Sequence, residues 1–145
     1  MMSCAEFAAK LGIAAEAAHA GLVAPTETLM KDVAVKAKAV LGTYTYGWPS
    51  LADSTMAQRE LLGYPKDEPG LRTGEMRSSV ETMAVATANG AQGLVYSADV
   101  VALWFEKGTT RGQPPRSFLF KSLWLSTPEM DRIFGAFAVK ILSGI

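Results

Sequence analysis

The stretch EMRSSVETMAVATANGAQGLVYS, residues 75–97, separates an all-helical reading of this chain from a mixed one. Val80, Met83 and Val85, with threonines between them, lead into Asn89-Gly90, and Leu94-Val95-Tyr96 follow. β-Branched and aromatic residues suit a pleated, half-buried surface. Asn-Gly between two such runs is a strong short-range hairpin signal. Taking all of Ala88–Gly93 as the connection gives a longer loop, so the sequence alone leaves the turn length open.

Helical patterns lie on both sides of this hairpin. Upstream, residues 3–24 are rich in alanine and place Phe7, Leu11, Ala14, Ala18 and Leu22 on one stripe, the pattern of an amphipathic helix in residues of high helix propensity. Pro25 predicts a break near Ala24, with Thr26 as a new N-cap and Glu27 in the first turn. Leu29, Val33 and Val40 continue the period to Gly42, a common helix terminator. Downstream, Thr127-Pro128-Glu129 reads as a helix start, followed by Met130, Ile133, Phe134, Phe137 and Ile141 at helical spacing.

Between these elements the chain is punctuated. Gly47, Pro49, Gly63, Pro65, Pro69 and Gly70 make 43–73 a loop-rich excursion with room for one short helix near Ser54–Leu62. Tyr44, Tyr46, Trp48 and Tyr64 argue that it is anchored, because aromatic side chains bury against something. Val100–Phe105 is apolar and too short for periodicity to tell strand from helix. The segment 107–117 is a Gly/Pro-rich arm, and helices resume over 118–143. The reading is therefore a single α+β domain over 1–145: a helical segment 3–42, the excursion 43–73, a β-hairpin region 75–97, the arm, and C-terminal helices. The last helix is expected to pack on the small antiparallel sheet.

Composition narrows the function. Hydrophobic residues are 49% and charged residues 19%, a globular balance. Lys plus Arg and Asp plus Glu stand at 14 each, which argues against broad electrostatic capture of nucleic acid or anionic lipid. Cys4 is alone, so no disulfide within the chain forms, and a reducing cytoplasm suits it. No unbroken apolar run reaches the ~18 residues of a bilayer span, and Glu6 sits where a signal peptide would be basic; the expectation is a protein assembled in the cytoplasm with no membrane partner.

Catalytic patterns are sparse. One His and one Cys do not make a zinc site, and His19 is most simply a solvated helix residue. Gly42–Gly47 lacks the Lys and hydroxyl of a phosphate loop, and neither G-x-G-x-x-G nor G-x-S-x-G occurs. Neither a catalytic nor a metal site is expected, nor a cofactor. Glu106, with Asp99 or Glu75, offers a pair of carboxylates for a hydrolase-like enzyme, and Arg72, Arg77, Arg111 and Arg116 could face a nucleic-acid backbone. Both alternatives compete with ordinary surface or salt-bridged roles.

Two blocks carry more information together. The first contains Trp48, Leu51 and Thr55, then Leu71, Thr73, Gly74 and Ser79; the second contains Trp104, Glu106, Gly108 and Thr109, then Pro114-Pro115-Arg116-Ser117-Phe118-Leu119. In this order they resemble the small virion-morphogenesis proteins of tailed phages and prophages, the neck or tail-completion family of siphophage-type viruses. That family runs from a long helix through W-x-x-L-x-x-x-T, L-x-T-G-x-L-x-x-S, a hairpin, E-x-G-T and P-x-R-P-F-L to a final helix. Met76, Lys107 and Ser117 depart from it. The resemblance implies a non-enzymatic virion protein of the phage neck. It would form a homo-oligomeric ring, with sixfold symmetry suggested by that of tails. Head-closure or adaptor proteins and tail terminator or tube proteins would be its partners, with genomic DNA in the channel. Trp104, Glu106, Gly108, Thr109, Arg111, Pro114, Pro115, Arg116 and Phe118 would then belong to a protein interface. Gly108 and Gly112 with Pro114 and Pro115 suit a projecting arm of fixed shape, anchored by Phe118 and offering Arg116 for a charge-assisted contact.

Overall fold

In the computed structural model, which describes residues 3–144, the hairpin is the organising element. Strand β1 (Val80–Thr87) pairs antiparallel with β2 (Gly90–Ser97), from Val80 opposite Ser97 to Thr87 opposite Gly90. The connection is the short one, Ala88-Asn89, and the positive φ falls on Gly90 rather than on Asn89. Alternation does the rest. Val80, Thr82 and Ala84 face inward with Ala91, Gly93, Val95 and Ser97, while Met83, Val85, Leu94 and Tyr96 face outward and stay exposed.

The inward face is covered by an N-terminal helix. Helix α1 (Cys4–Gly21) and α2 (Val23–Val40) form one bent path, and α2 lies across both strands. It buries Leu29, Met30, Val33, Ala34, Ala37 and Val40, the period predicted from the sequence. The approach is close at Gly93, where a Cβ would stand 2.6 Å from Met30 Cγ. Only glycine fits there, so β2 and α2 touch almost backbone to side-chain stem.

The break in the path comes at Leu22, not at Pro25. Proline is tolerated in a first helical turn, where its missing N–H has no partner to lose, and Pro25 sits there, buried. Thr26 is accordingly inside α2 rather than capping it, its hydroxyl donating to Leu22 O at 2.8 Å.

The α+β class stands: a long bent N-terminal helix, a two-stranded antiparallel sheet and a C-terminal helix. What covers the sheet is corrected. Helix α7 (Thr127–Leu142) packs along α2 and α1, leaving the sheet to α2. Gly21 and Phe137 meet in this contact. The stripe Ile133, Phe134, Phe137 and Ile141 is half-buried, because one helix pair covers less of it than a sheet would.

The remaining helices are short: α3 (Asp53–Leu61), α4 (Glu75–Ser78), α5 (Val100–Lys107) and α6 (Leu119–Leu125). The Val100–Phe105 ambiguity resolves as helix, opened by Asp99, whose carboxylate accepts from Val101 N at 2.8 Å. The core gathers Ala34, Ala37, Val40, Leu41, Trp48, Met76, Val80, Ala102, Phe105 and Phe118.

Candidate functional site

The two motif blocks meet at one node. Trp48, brought in by the 43–52 loop, stands edge-on to Phe105 of α5 with ring centroids 5.2 Å apart; Phe105 stands edge-on to Phe118, 5.9 Å away. Tyr46 adds a further edge contact to Trp48 at 5.8 Å. Such pairs contribute about 0.5–1.5 kcal/mol each beyond area burial. The Trp48 indole N–H also donates to Ser117 O at 3.2 Å.

Glu106 explains why α6 can start where it does. The N-cap position of α6 is Phe118, whose side chain accepts nothing. In its place Glu106 reaches across from α5. Its Oε2 accepts from Phe118 N (2.7 Å) and Leu119 N (2.9 Å), and its Oε1 from Phe120 N (3.1 Å) and Ser117 Oγ (2.6 Å). The orphan donors of a helix start are thus met by a carboxylate from another helix, with favourable charge for the dipole. All four of its acceptor positions are used by this chain.

Arg116 is equally committed. It is 4% exposed; its Nε and Nη2 donate to Pro49 O at 3.2 and 3.0 Å, and Nη2 also to Ser50 O at 3.1 Å. Burial pushes its pKa below the ordinary guanidinium value, with the nearby Tyr44 acting weakly in the other direction. Its own backbone N–H donates to Phe105 O at 2.7 Å.

The 107–117 segment is therefore not a projecting arm. It turns back on α5: Thr109 N donates to Gln113 O at 3.0 Å, Gly112 N to Thr109 O at 3.2 Å, and Arg116 is tied down as above. Gly108 makes the return possible. Its φ is 77°, and a Cβ there would lie 2.7 Å from Gln113 O. The interface residues inferred from the resemblance divide accordingly. Trp104, Arg111 and Pro115 are exposed, and Gly108, Thr109 and Pro114 half-buried. Phe118 is fully buried and Arg116 nearly so, because the core and the Pro49–Ser50 carbonyls claim them; the expectation of an interface role fails for these two. Glu106 is half-buried with its carboxylate engaged.

The upstream motif residues are scaffold. Trp48 and Leu51 are buried. Leu71 packs against Gly42. Thr73 holds the Glu75 side chain (3.1 Å), Gly74 has a left-handed φ of 87°, and Ser79 Oγ bridges Met76 O (2.9 Å) and Ser97 Oγ (2.7 Å). Thr55 is half-buried on α3.

Both blocks line an open cleft of about 900 Å³, bounded by Leu51, Thr55, Thr73, Arg111, Pro114 and Arg116 among others. Arg72 stacks over the Tyr64 ring at 4.5 Å on its wall. Arg59 donates to Glu68 O at 2.7 Å, and burial, reinforced by the charge of Arg72, pulls its pKa below the usual value. Asp53, Glu75 and Asp99 face the same cleft, so its charge is mixed. Arg72 and Arg111 line it, whereas Arg77 lies elsewhere, donating to Leu41 O. Among the described residues no three His, Cys, Asp or Glu side chains gather as a metal cluster would require.

Three features escaped the sequence. The carboxylate cap on α6 was signalled only by the lack of a capping residue at Phe118. The second is a half-exposed knot around the buried Ser126, in which Asp32 accepts from Ser126 Oγ (2.9 Å) and pairs with Lys36 (2.5 Å), while Lys36 also donates to Ser126 Oγ (2.9 Å). The third concerns α1. An 18-residue window within Cys4–Val40 reaches a mean hydropathy of 1.2, with none of it buried. The helix thus meets a membrane span in length and composition, which unbroken runs missed because scattered charges interrupt them.

No family model, curated protein or solved structure matches this chain.

Proposed function

We propose that this chain is a structural protein of a tailed-phage neck, forming a homo-oligomeric ring that joins the head-side connector to the tail. The supporting observation is the node itself. Residues from two sequence blocks that resemble neck proteins converge on one latch: Trp48 and Arg116 lock the 48–50 loop, and Glu106 fixes the start of α6. A latch of this kind holds surfaces in place for assembly and leaves Glu106 no acceptor site for a proton in transit, which counts against the hydrolase alternative. The mixed charge of the cleft counts against the DNA-binding one. Outward-facing Leu103, Trp104, Phe120 and Trp124, each 47–70% exposed, are apolar surface of the kind that assembly covers.

Head-closure or adaptor proteins on one side and a tail terminator or tube on the other are the proposed partners, with the virion neck as location. Sixfold symmetry follows from matching a tail. The test is to purify the chain alone and with the proteins encoded beside it, and to search finished particles by mass spectrometry. Ring assembly and presence in the particle are the expected result. A chain that stays monomeric in both mixtures and is missing from particles overturns the proposal.

A further inference from the structure

Charge in the cleft between the two motif blocks is not balanced by its own walls. Four guanidinium groups line it, those of Arg59, Arg72, Arg111 and Arg116. Among the described residues none of the four forms an ion pair with a carboxylate. The acids on the same walls are Asp53, Glu75 and Asp99. Glu75 accepts from the Thr73 hydroxyl, and Asp99 caps α5. Four cations against three anions leave the cleft one net positive charge.

Burial sharpens the imbalance. Buried charges are ordinarily paired, yet Arg116 is 4% exposed and meets only the Pro49 and Ser50 carbonyl oxygens. Arg59 is half-buried and also meets only carbonyls, donating from Nη1 to Pro65 O (3.3 Å) and Glu68 O (2.7 Å). Burial first, and the Arg72 charge next, lower its pKa; the Glu68 carboxylate opposes this less than Arg72 reinforces it. Arg72 lays its guanidinium over the Tyr64 ring at 4.5 Å. A guanidinium stacked by its face keeps its five N–H donors at the edge, and those of Arg72 meet no acceptor among the described residues. Arg59 Nε and Nη2 and Arg116 Nη1 have none there either. None of these atoms is sealed from water, because Arg77 Nε is the one buried side-chain atom left unpartnered among the described residues.

Free guanidinium edges suit an anion with two oxygens, and their fork matches carboxylate and phosphate alike. The net charge selects between them. One excess positive charge balances a monoanion. A nucleic-acid or polyphosphate chain brings several negative charges close together, and Asp53, Glu75 and Asp99 would repel them. The rest of the wall is apolar, with the buried Leu51, Met76 and Phe105 beside Leu62 and Pro114. The volume of about 900 Å³ falls in the ~300–1,000 Å³ range of small-ligand sites. An apolar body bearing one carboxylate fits both halves of the cleft.

We infer that the cleft binds a monocarboxylate carried on an apolar group, its oxygens held by the guanidinium edges of Arg59 and Arg72, with Arg116 Nη1 as a third donor. A small organic acid and the C-terminal end of a peptide both offer this chemistry. The site needs neither ring nor virion, so it is judged apart from the neck reading.

The experiment follows the arginine Nε–H and backbone NMR signals of the full chain as hexanoate is added at constant ionic strength. The Arg59 and Arg72 signals are expected to shift and saturate, with a Kd of about 1 mM. Arg72→Gln, at an exposed position, is expected to weaken binding by about tenfold or more. Arg132→Gln removes a guanidinium outside the cleft and should leave binding unchanged. Backbone spectra check that both variants keep their fold. A second titration, with N-acetyl-leucine, separates the sources. Binding at least as tight as that of hexanoate assigns the site to a chain end, and weaker binding to a free acid. No saturable shift with either acid overturns the inference, as does undiminished binding by Arg72→Gln. Hexanol that shifts the same signals equally overturns it, because no carboxylate is then being read. Inorganic phosphate or oligothymidylate bound there as tightly as hexanoate overturns it too.

Discussion

The carboxylate of Glu106 accepts the backbone N–H of Phe118 at 2.7 Å, so that one helix caps the start of another twelve residues further along the chain. Charge-assisted hydrogen bonds to backbone donors are among the stronger ones, and removing an acceptor strands every donor that faced it. Glu106→Gln presents an amide N–H₂ to at least one of those donors. It is expected to lower unfolding free energy by about 2 kcal/mol in urea titration, and Glu106→Ala by about 2–4 kcal/mol. Unchanged stability in both would show that α6 starts without this cap.

Arg116 spans two carbonyls with one planar guanidinium, a geometry that lysine's point charge cannot reproduce. Arg116→Lys is therefore expected to cost about 2 kcal/mol, because one of the Pro49 and Ser50 carbonyls is left unmet in a buried site. The 48–50 loop should loosen with it, read as faster amide exchange around Leu51, whose N–H donates to the Tyr44 hydroxyl at 3.2 Å.

Two glycines predict opposite signs. Gly108→Ala puts a Cβ 2.7 Å from Gln113 O at a φ of 77°, and should destabilise by about 2 kcal/mol or more. Gly135→Ala adds a Cβ with nothing within 4 Å, inside α7. It should stabilise by about 0.5–1 kcal/mol from helix propensity alone. Melting of both variants under one buffer decides this.

Asp32 supplies a pH dependence. Burial pushes its carboxyl up, but the hydrogen bonds from Lys36 and Ser126 and the charges of Lys36 and Arg132 outweigh that and hold it below the ordinary carboxylate value. A group depressed on folding contributes stability above its unfolded pKa of about 3.9 and loses it as pH falls through the folded value. Wild type should thus lose stability below about pH 4 more steeply than Asp32→Asn, with the difference near 1 kcal/mol. Parallel acid titrations of the two proteins would remove Asp32 from this role.

Periodicity carried most of the architecture. The α2 stripe of Leu29, Val33, Ala37 and Val40, the alternation of β1 and β2, and the start of α7 at Thr127-Pro128 follow from local spacing, since backbone geometry maps spacing directly onto a face. Element boundaries set by competing local signals did not. Pro25 reads as a breaker until its place in the first turn of α2 is known, and Asn89-Gly90 does not show which residue takes the positive φ.

Amino-acid order alone gave an α+β chain with a central hairpin, and singled out Trp48 in one block and Glu106, Arg116 and Phe118 in another without showing that they meet. Tertiary structure decided what each of them does. Phe118 went to the core and Arg116 to the carbonyls of a loop 66 residues upstream, while Glu106 became a helix cap. It also decided that α2, not α7, covers the sheet. The reason is that periodicity states which face of an element is apolar, whereas the partner for that face depends on which other surfaces the chain path brings within van der Waals reach. Gly93 against Met30 shows how close that reach is: one missing methyl group seats α2 on the hairpin.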